Sequence, residues 1–311
     1  MRKWTGAEIP DQTGRTVLVT GANSGLGLRS AEALARAGAR VLLGCRNPER
    51  GARALEEVRA VASAASPELV LVDLSDLSSV RAAAERVNTM VDGLDVLMNN
   101  AGLMGIPAAR TADGFEMQLG TNHLGHFALT GLLLPALLRA RAPRVVTTSS
   151  QMHRIGRMRW NDLQWERGYR KWLAYAQSKL ANLLFTLQLD AWAREAGSPL
   201  KAVAAHPGYA ATNLQERGPK LSGNRLMAGV MSGLNAFAQS DVMGAWPQLY
   251  AATMDDVEGG QYYGPHSLFQ TRGHPTRVTP SRAGRDPRAA RRLWDISEEL
   301  TGVRFDLRVR R

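Results

Sequence analysis

The chain of 311 residues contains one cysteine, Cys45, and only five of its 39 basic residues are lysines. A single cysteine excludes a disulfide within the chain and a cysteine-rich zinc site, and it favours a reducing, cytoplasmic location. The histidines include no pair at the i,i+4 spacing of many metal ligands, so we expect no metal. No run approaches the roughly 18 consecutive apolar residues of a membrane-spanning helix, and residues 1–10 lack the apolar segment of a secretory signal.

The formal net charge is +11, and the excess comes from arginines, which are densest between residues 272 and 292. Such a cluster can form a nucleic-acid or anionic-membrane surface. No aromatic interleaving or recognition-helix pattern accompanies it. We therefore interpret it as a solvated arginine-rich surface that attracts a phosphate-bearing cofactor, and we expect no nucleic-acid partner.

Short apolar runs alternate with helical patterns along most of the chain. The runs are apolar on both faces, as in the strands of a buried parallel sheet, and helical segments separate them. Right-handed crossovers then give an α/β fold, a single doubly wound Rossmann-type domain over residues 1–311 with about seven parallel strands and helices on both faces. The predicted strands are 16–20, 40–44, 68–72, 94–98, 144–148, 202–205 and 262–263, and the predicted helices are 26–37, 48–65, 77–90, 115–139, 171–196 and 287–301.

A glycine-rich segment, Thr20-Gly21-Ala22-Asn23-Ser24-Gly25-Leu26-Gly27, follows the first predicted strand and opens the first helix. Gly21 permits a tight turn, Gly25 lets the backbone approach a pyrophosphate, and Gly27 lets the helix pack closely on the strand. The helix N-terminus supplies free N–H groups and the positive end of a dipole. The segment therefore predicts a dinucleotide-binding site.

The spacing T-G-x-x-x-G-x-G resembles the fingerprint of the short-chain dehydrogenase/reductase family, and further motifs follow in the family's order over residues 13–213. The segments around His123–Phe127 and Ser178–Asn182 are most similar to the branch of retinol dehydrogenases and protochlorophyllide reductases. The resemblance implies that the cofactor is held by Gly21, Asn23, Ser24, Gly25, Leu26, Gly27, Arg46, Asp73, Leu74, Asn100, Ala101, Gly102, Tyr175, Lys179, Pro207, Gly208 and Thr212.

Tyr175 and Lys179 stand four residues apart on one predicted helix, so their side chains are neighbours. A phenol has a usual pKa of about 10, and a nearby ammonium group lowers it toward the working range of an acid/base catalyst. Ser150, at the end of a neighbouring strand, can hydrogen-bond a substrate oxygen whose charge changes during hydride transfer. By resemblance, Ser150 is the catalytic serine, and Asn122 bends its helix and supports a proton relay to Lys179.

The second predicted strand ends at the position where an NAD enzyme usually carries an acid for the ribose 2′-hydroxyl. Here that position is Cys45, followed by Arg46. A guanidinium group offers a planar fork of donors that suits a 2′-phosphate. The sequence therefore favours NADP over NAD.

These motifs together predict an NADP(H)-dependent oxidoreductase that interconverts a carbonyl and an alcohol on a bulky hydrophobic substrate. The alternative is a cofactor-binding sensor or interaction protein without significant turnover. The sequence leaves the role of two segments open. Residues 151–172 form either a pocket wall or a surface loop, and residues 214–240 form either a substrate lid or a contact with the core, another subunit or a membrane. Residues 302–311 are expected to be a loosely attached tail. The resemblance also implies a homo-oligomer that pairs two long helices.

Overall fold

The computed structural model describes residues 3–209 and 239–306, and these form one eight-stranded sheet covered by helices on both faces. The strand order is β3-β2-β1-β4-β5-β6-β7-β8, with every neighbouring pair parallel except the antiparallel β7 and β8. The strands are β1 Thr16–Thr20, β2 Arg40–Cys45, β3 Glu68–Leu71, β4 Val96–Asn99, β5 Arg144–Thr148, β6 Lys201–Ala205, β7 Tyr262–Pro265 and β8 Pro275–Arg277.

The two faces of the sheet follow from the alternation of side chains along each strand. The helices are α1 Gly25–Arg36, α2 Pro48–Arg59, α3 Leu77–Met90, α4 Met117–Leu119, α5 Gly125–Leu132, α6 Leu134–Arg139, α7 Lys171–Glu195, α8 Asp241–Thr253 and α9 Pro287–Thr301. Leu18 of β1 packs with side chains of α3, α5, α6, α7 and α9 on one face of the sheet. Val17 and Val19 pack with side chains of α1, α2 and α8 on the other face.

The predicted doubly wound α/β fold is confirmed, and the strand order places its switch point between β1 and β4. Four elements differ from the sequence prediction. Helix α8, Asp241–Thr253, was not predicted, and α2 ends at Arg59 rather than at residue 65. The helix expected over residues 115–139 is interrupted by a π-helical turn, Gly120–Leu124, and ends before a separate helix α6 that has Pro135 in its first turn. The short strand β8 lies beyond the last predicted strand.

The C-terminal segment differs from the expected loose tail as far as it is described. Val303 is buried, and the ring of Phe305 lies 4.9 Å from that of Phe127 and 4.5 Å from that of Trp294. These apolar side chains complete the core between α5 and α9. Residues 307–311 lie outside the described residues.

The segment 214–240, predicted as a lid, lies outside the described residues except for its last two. Gln239 donates its backbone N–H to the carbonyl of Tyr209, and Ser240 caps the N-terminus of α8. The lid hypothesis for this segment therefore stays a prediction.

Candidate active site

The glycine-rich loop lies between the carboxyl end of β1 and the N-terminus of α1, where its close packing leaves no room for side chains. Gly21 has a left-handed φ of 69°, and a Cβ on Gly27 would lie 2.3 Å from the carbonyl oxygen of Gly21. Ser24 is the N-cap of α1, but its side chain makes no capping hydrogen bond. The loop thus presents the N-terminus of α1 and a hydroxyl to a cleft, as a phosphate-binding site requires.

A cleft runs along the carboxyl ends of β1, β2, β3 and β4, and we call it the nucleotide cleft. Thr20 fixes its floor, because the Thr20 Oγ1 accepts hydrogen bonds from the backbone N–H groups of Asn100 (2.9 Å) and Ala101 (3.0 Å). Twelve of the residues predicted to hold the cofactor line this cleft: Gly21, Asn23, Ser24, Gly25, Leu26, Gly27, Arg46, Asp73, Leu74, Asn100, Ala101 and Gly102. The residues present therefore fit a bound dinucleotide.

The end of β2 carries a buried thiol and an exposed guanidinium group. Cys45 is buried, and burial raises the pKa of its thiol to about 12. The side chain of Arg46 is 61% exposed, and its Nε lies 3.9 Å from the Oδ2 of Asp73. Arg46 thus stands at the mouth of the nucleotide cleft with most of its donors free of close partners, apart from this long contact.

Ser150, Tyr175 and Lys179 come together in a second cleft, which shares Leu26, Asn100, Gly102 and Leu103 with the nucleotide cleft. The Nζ of Lys179 donates to the carbonyl of Thr148 at 3.0 Å, and the Ser149 Oγ donates to the carbonyl of Lys179 at 2.8 Å. These bonds tie α7 to the end of β5. Pro207 and Gly208 line the same cleft, whereas Thr212 lies outside the described residues.

The electrostatics of this centre are dominated by burial. Burial raises the pKa of Tyr175 to about 12, although a hydrogen bond with Ser150 acts in the opposite direction. Burial also lowers the pKa of Lys179 to about 8. In the protein chain alone, the expected lowering of the Tyr175 pKa by Lys179 is therefore outweighed, since the ammonium nitrogen is 5.8 Å from the centre of the tyrosine ring and faces Thr148.

Asn122 lies in the π-helical turn Gly120–Leu124, which interrupts the helix in which a bend was predicted at this residue. Its Oδ1 accepts from the backbone N–H of Leu103 at 2.7 Å, and its Nδ2 donates to the Leu103 carbonyl and to the Ser178 Oγ, each at 2.9 Å. A Cβ on Gly102 would lie 3.1 Å from the Asn122 Oδ1 and 3.4 Å from the Lys179 Nζ. The bare glycine therefore keeps the space between Asn122 and Lys179 open.

The segment 151–172 forms both a pocket wall and a surface layer. Met152 and Trp172 line the second cleft, which has a volume of about 850 Å³. Trp160 packs on the cluster between α7 and α9, and the guanidinium carbon of Arg159 lies 4.1 Å from the centre of the Trp165 ring. Within this segment, Trp172 therefore lines the pocket, whereas Trp160 and Trp165 pack elsewhere.

Several residues of the second cleft could not be predicted from the sequence. Phe269, Gln270 and Thr271 reach it from the turn after β7, about 95 residues beyond Tyr175. They carry no motif and stand next to the site only because β7 pairs with β6. Gln151, Arg154 and Ile155 lie in the segment 151–172, and no pattern in the sequence marks them as pocket residues.

Within residues 3–209 and 239–306, no cluster of three or more His, Cys, Asp or Glu side chains is placed to hold a metal ion. Over the same residues, no helix combines the length and apolar character needed to cross a membrane.

Comparisons with known proteins agree with this geometry. The family model described as short chain dehydrogenase matches residues 15–220. Mouse retinol dehydrogenase 12 is 38% identical over 97% of this chain and 90% of its own length, and mouse retinol dehydrogenase 14 is 41% identical over 93% and 86%. A solved structure of an uncharacterised Mycobacterium paratuberculosis protein is 46% identical with a TM-score of 0.81, covering 98% of this chain and 99% of that one.

A second solved structure shares the fold at lower identity. It is a short-chain dehydrogenase from Shigella flexneri complexed with NADP, 24% identical with a TM-score of 0.63 over 82% of this chain and 98% of that one. The family model covers more than half of the chain, and the relatives at 38% and 41% identity span most of its length. The chain therefore belongs to the short-chain dehydrogenase/reductase family, on its retinol dehydrogenase-like branch, and is an alcohol/carbonyl oxidoreductase that uses NAD(P).

Proposed function

We propose that this protein uses NADP(H) to interconvert a carbonyl and an alcohol on a bulky hydrophobic substrate. The observation that carries the proposal is the meeting of Ser150, Tyr175 and Lys179 where the nucleotide cleft opens into a second cleft with an apolar wall. A site built in this way can hold a polar reacting group at one end and apolar substrate surface at the other.

Each side chain of the centre has a distinct task in this proposal. A bound nicotinamide cofactor supplies or accepts the hydride. Tyr175 gives a proton to the carbonyl oxygen in reduction and takes it back in oxidation, and Ser150 hydrogen-bonds the same oxygen as its charge changes. Lys179 would hold the cofactor ribose, and its ammonium nitrogen lies 5.8 Å from the centre of the Tyr175 ring. The raised pKa of Tyr175 keeps the phenol protonated in the protein chain alone, which is the form that reduction needs.

Asn122 supports proton transfer to Lys179 by shaping the path rather than by carrying the proton. Its side chain holds Leu103 and Ser178, and the open space beside Gly102 separates it from the Lys179 Nζ. A water molecule in that space would have both groups within reach, which supports the proposed relay.

The preference for NADP rests on Arg46. Its exposed guanidinium group stands beside the cleft at the position that follows Cys45, where an acid would favour NAD. The NADP complex of the Shigella flexneri protein supports the choice by fold similarity alone. The cytoplasmic location expected from the cysteine content remains a proposal.

The hydrophobic substrate class rests on the lining of the second cleft and on the relatives. Met152, Ile155, Trp172 and Phe269 line the cleft around Tyr175. The related proteins are named for retinol, a largely apolar alcohol with a single hydroxyl group. We propose a retinoid-like or other elongated apolar alcohol or aldehyde as the substrate.

The test is turnover of NADPH with a panel of hydrophobic aldehydes, ketones and quinones. Tyr175→Phe should keep its fold and its NADPH affinity but lose at least about 100-fold in kcat, the usual size of a general acid contribution. Tyr250→Phe is the matched control, because the Tyr250 hydroxyl bonds Asp256 on the other face of the sheet. Near-normal kcat in folded Tyr175→Phe would contradict the mechanism, and NADPH binding without turnover of any compound would favour a cofactor sensor.

A further inference from the structure

The turn between β7 and β8 contains two adjacent residues in an unfavourable backbone conformation. Phe269 has a φ of 59° and Gln270 a φ of 54°, both in the left-handed region that residues other than glycine rarely adopt. Two such residues in succession are costly, and strain of this kind persists only where the surrounding structure imposes it. Neither residue is an asparagine or aspartate, which tolerate this region best.

Hydrogen bonds from the active-site side hold the strained turn in place. The Nε2 of Gln151, the residue after Ser150, donates to the Gln270 Oε1 at 2.8 Å and to the Phe269 carbonyl at 3.3 Å. The backbone N–H of Tyr209 donates to the Thr271 carbonyl at 2.7 Å. The turn is therefore fixed to the segments that follow β5 and β6, and its strain is not relieved by an independent movement of the hairpin.

The consequence of this conformation is an aromatic ring that stays in solvent. Phe269 is 80% exposed although it lines the second cleft, and Ile155, which lines the same cleft, is 55% exposed. Among the side chains whose exposure the structure describes, the other exposed large hydrophobic ones are Leu71 and Val242, which line neither cleft. Exposed apolar surface is thus concentrated at this cleft.

Among the described residues, the charged side chains that line the cleft are Lys179 and Arg154. The guanidinium group of Arg154 donates to the Gln151 Oε1 at 2.8 Å and to the Thr279 carbonyl at 3.3 Å. Arg154 thus orients Gln151, whose amide group in turn holds the strained turn.

We propose that Phe269 and Ile155, the exposed apolar residues of the second cleft, form an apolar mouth that contacts the part of the substrate remote from the reacting carbon. The strained turn holds the Phe269 ring over the cleft, so that a long apolar chain covers it and a short one does not reach it. The enzyme then selects elongated apolar aldehydes and alcohols over short ones. This inference rests on the proposed carbonyl–alcohol activity and assigns its specificity to two residues that touch neither the reacting atoms nor the cofactor cleft.

The test compares the kcat/KM of decanal with that of butanal, both with NADPH. Phe269→Gly removes the ring and places glycine where φ is positive, so the variant should fold at least as stably as the parent. Its decanal-to-butanal ratio should fall about tenfold through KM, the loss expected when a large apolar contact is removed. Phe269→Leu should retain most of the ratio, because leucine keeps an apolar side chain at this position.

Val242→Ala is the matched control, since Val242 is also an exposed apolar side chain but lies in the first turn of α8 outside both clefts. Its ratio should equal that of the parent. An unchanged ratio in Phe269→Gly, or no preference for decanal in the parent, would overturn the apolar mouth while leaving the carbonyl activity in place. Failure of the parent to turn over any aldehyde would overturn the proposed function and this inference with it.

Discussion

Lys179 is an ammonium group in a position that burial makes unfavourable. Its side chain is almost fully buried, and burial lowers its pKa to about 8. Among the described residues its acceptor is the Thr148 carbonyl, which also accepts a hydrogen bond from the Asn182 Nδ2 at 3.0 Å. The carbonyl would therefore keep a partner without Lys179, and the lysine lowers the stability of the chain for the sake of its function.

We expect Lys179→Met to abolish turnover and to raise the stability of the protein. The folded-state pKa of Lys179 lies below the unfolded value, so the folded state bears the penalty at pH values below about 8 and recovers it as the pH rises toward 10.5. The gain should reach about 3 kcal/mol near pH 7 and shrink above pH 8. Urea unfolding at pH 7 and pH 9.5 measures it, and destabilisation at pH 7 would contradict the argument.

Arg46 should determine the choice between the two cofactors. Its guanidinium group has only a 3.9 Å contact to Asp73 among the ion pairs, so it can turn toward a 2′-phosphate at little cost. We expect Arg46→Ala to weaken NADPH binding by about 1–3 kcal/mol and to leave NADH binding nearly unchanged. Fluorescence titration measures both affinities, and Arg59→Ala at the far end of α2 is the control. Equal affinity of the parent for NADPH and NADH would refute the assignment.

The π-helical turn interrupts a segment that the residue pattern predicts as one helix, although the family resemblance implies a bend at Asn122. Residues 124–138 form the longest apolar run of the chain and suggest a buried helix. The interruption comes from long-range contacts: the Asn122 side chain bonds Leu103, and a Cβ on Gly125 would lie 2.3 Å from the Leu74 carbonyl. Those contacts exist only after β3 and β4 are in place, so no local pattern encodes them.

The sequence predicted most of the candidate site residues that follow the carboxyl ends of the strands. The segments after β1, β4, β5 and β6 carry short motifs, because backbone approach to a cofactor and acid/base chemistry restrict which residues fit there. The turn at Phe269 could not be predicted in the same way. Its conformation depends on hydrogen bonds from Gln151 and Tyr209, and its relevance depends on the pairing of β7 with β6.

The π-helical turn is also joined to α9 through a buried histidine. The Ser297 Oγ donates to the Leu293 carbonyl at 2.7 Å, so it accepts the hydrogen bond from the His123 Nε2 at 2.9 Å. Burial lowers the pKa of His123 to about 3. The ring therefore stays neutral in the folded chain at neutral and mildly acidic pH.

This histidine should make the protein sensitive to mild acid. Its folded-state pKa lies below the unfolded value of about 6.5, so the unfolded chain binds the extra proton and stability is lost as the pH falls from about 6.5 toward 3. The loss is about 1.4 kcal/mol per pH unit. His123→Gln keeps a donor to Ser297 and does not titrate, so its free energy of unfolding should fall by about 2 kcal/mol less than that of the parent between pH 7 and pH 5.

The control for this measurement is His266→Gln, at an exposed position in the turn after β7. This variant separates the effect of losing a buried histidine from the effect of replacing any histidine by glutamine. A parallel loss of stability in parent and His123→Gln would show that His123 does not carry the acid sensitivity.

At the level of the whole molecule, α7 is enclosed between the sheet and α9. Residues 174–186 of α7 are all buried, which matches a helix that is apolar around most of its circumference. Trp294 of α9 stacks on Phe185 of α7 at 5.8 Å and meets Phe127 of α5 edge-on at 5.0 Å. The two helices that the family resemblance would pair between subunits are thus already covered by the chain's own C-terminal helix.

This arrangement predicts that the chain does not dimerise through α5 and α7. A partner helix could reach α7 only if α9 moved away, which would expose Trp294, Leu293 and Phe305 to water. Burying a large apolar side chain is worth about 1.5–3 kcal/mol, so the displacement is unfavourable unless the partner restores all of that surface. We therefore expect cross-linking of the chain at micromolar concentration to give no product that joins α7 of one copy to α7 of another, whatever mass light scattering gives. A dimer whose cross-links join the two copies of α7 would contradict this prediction.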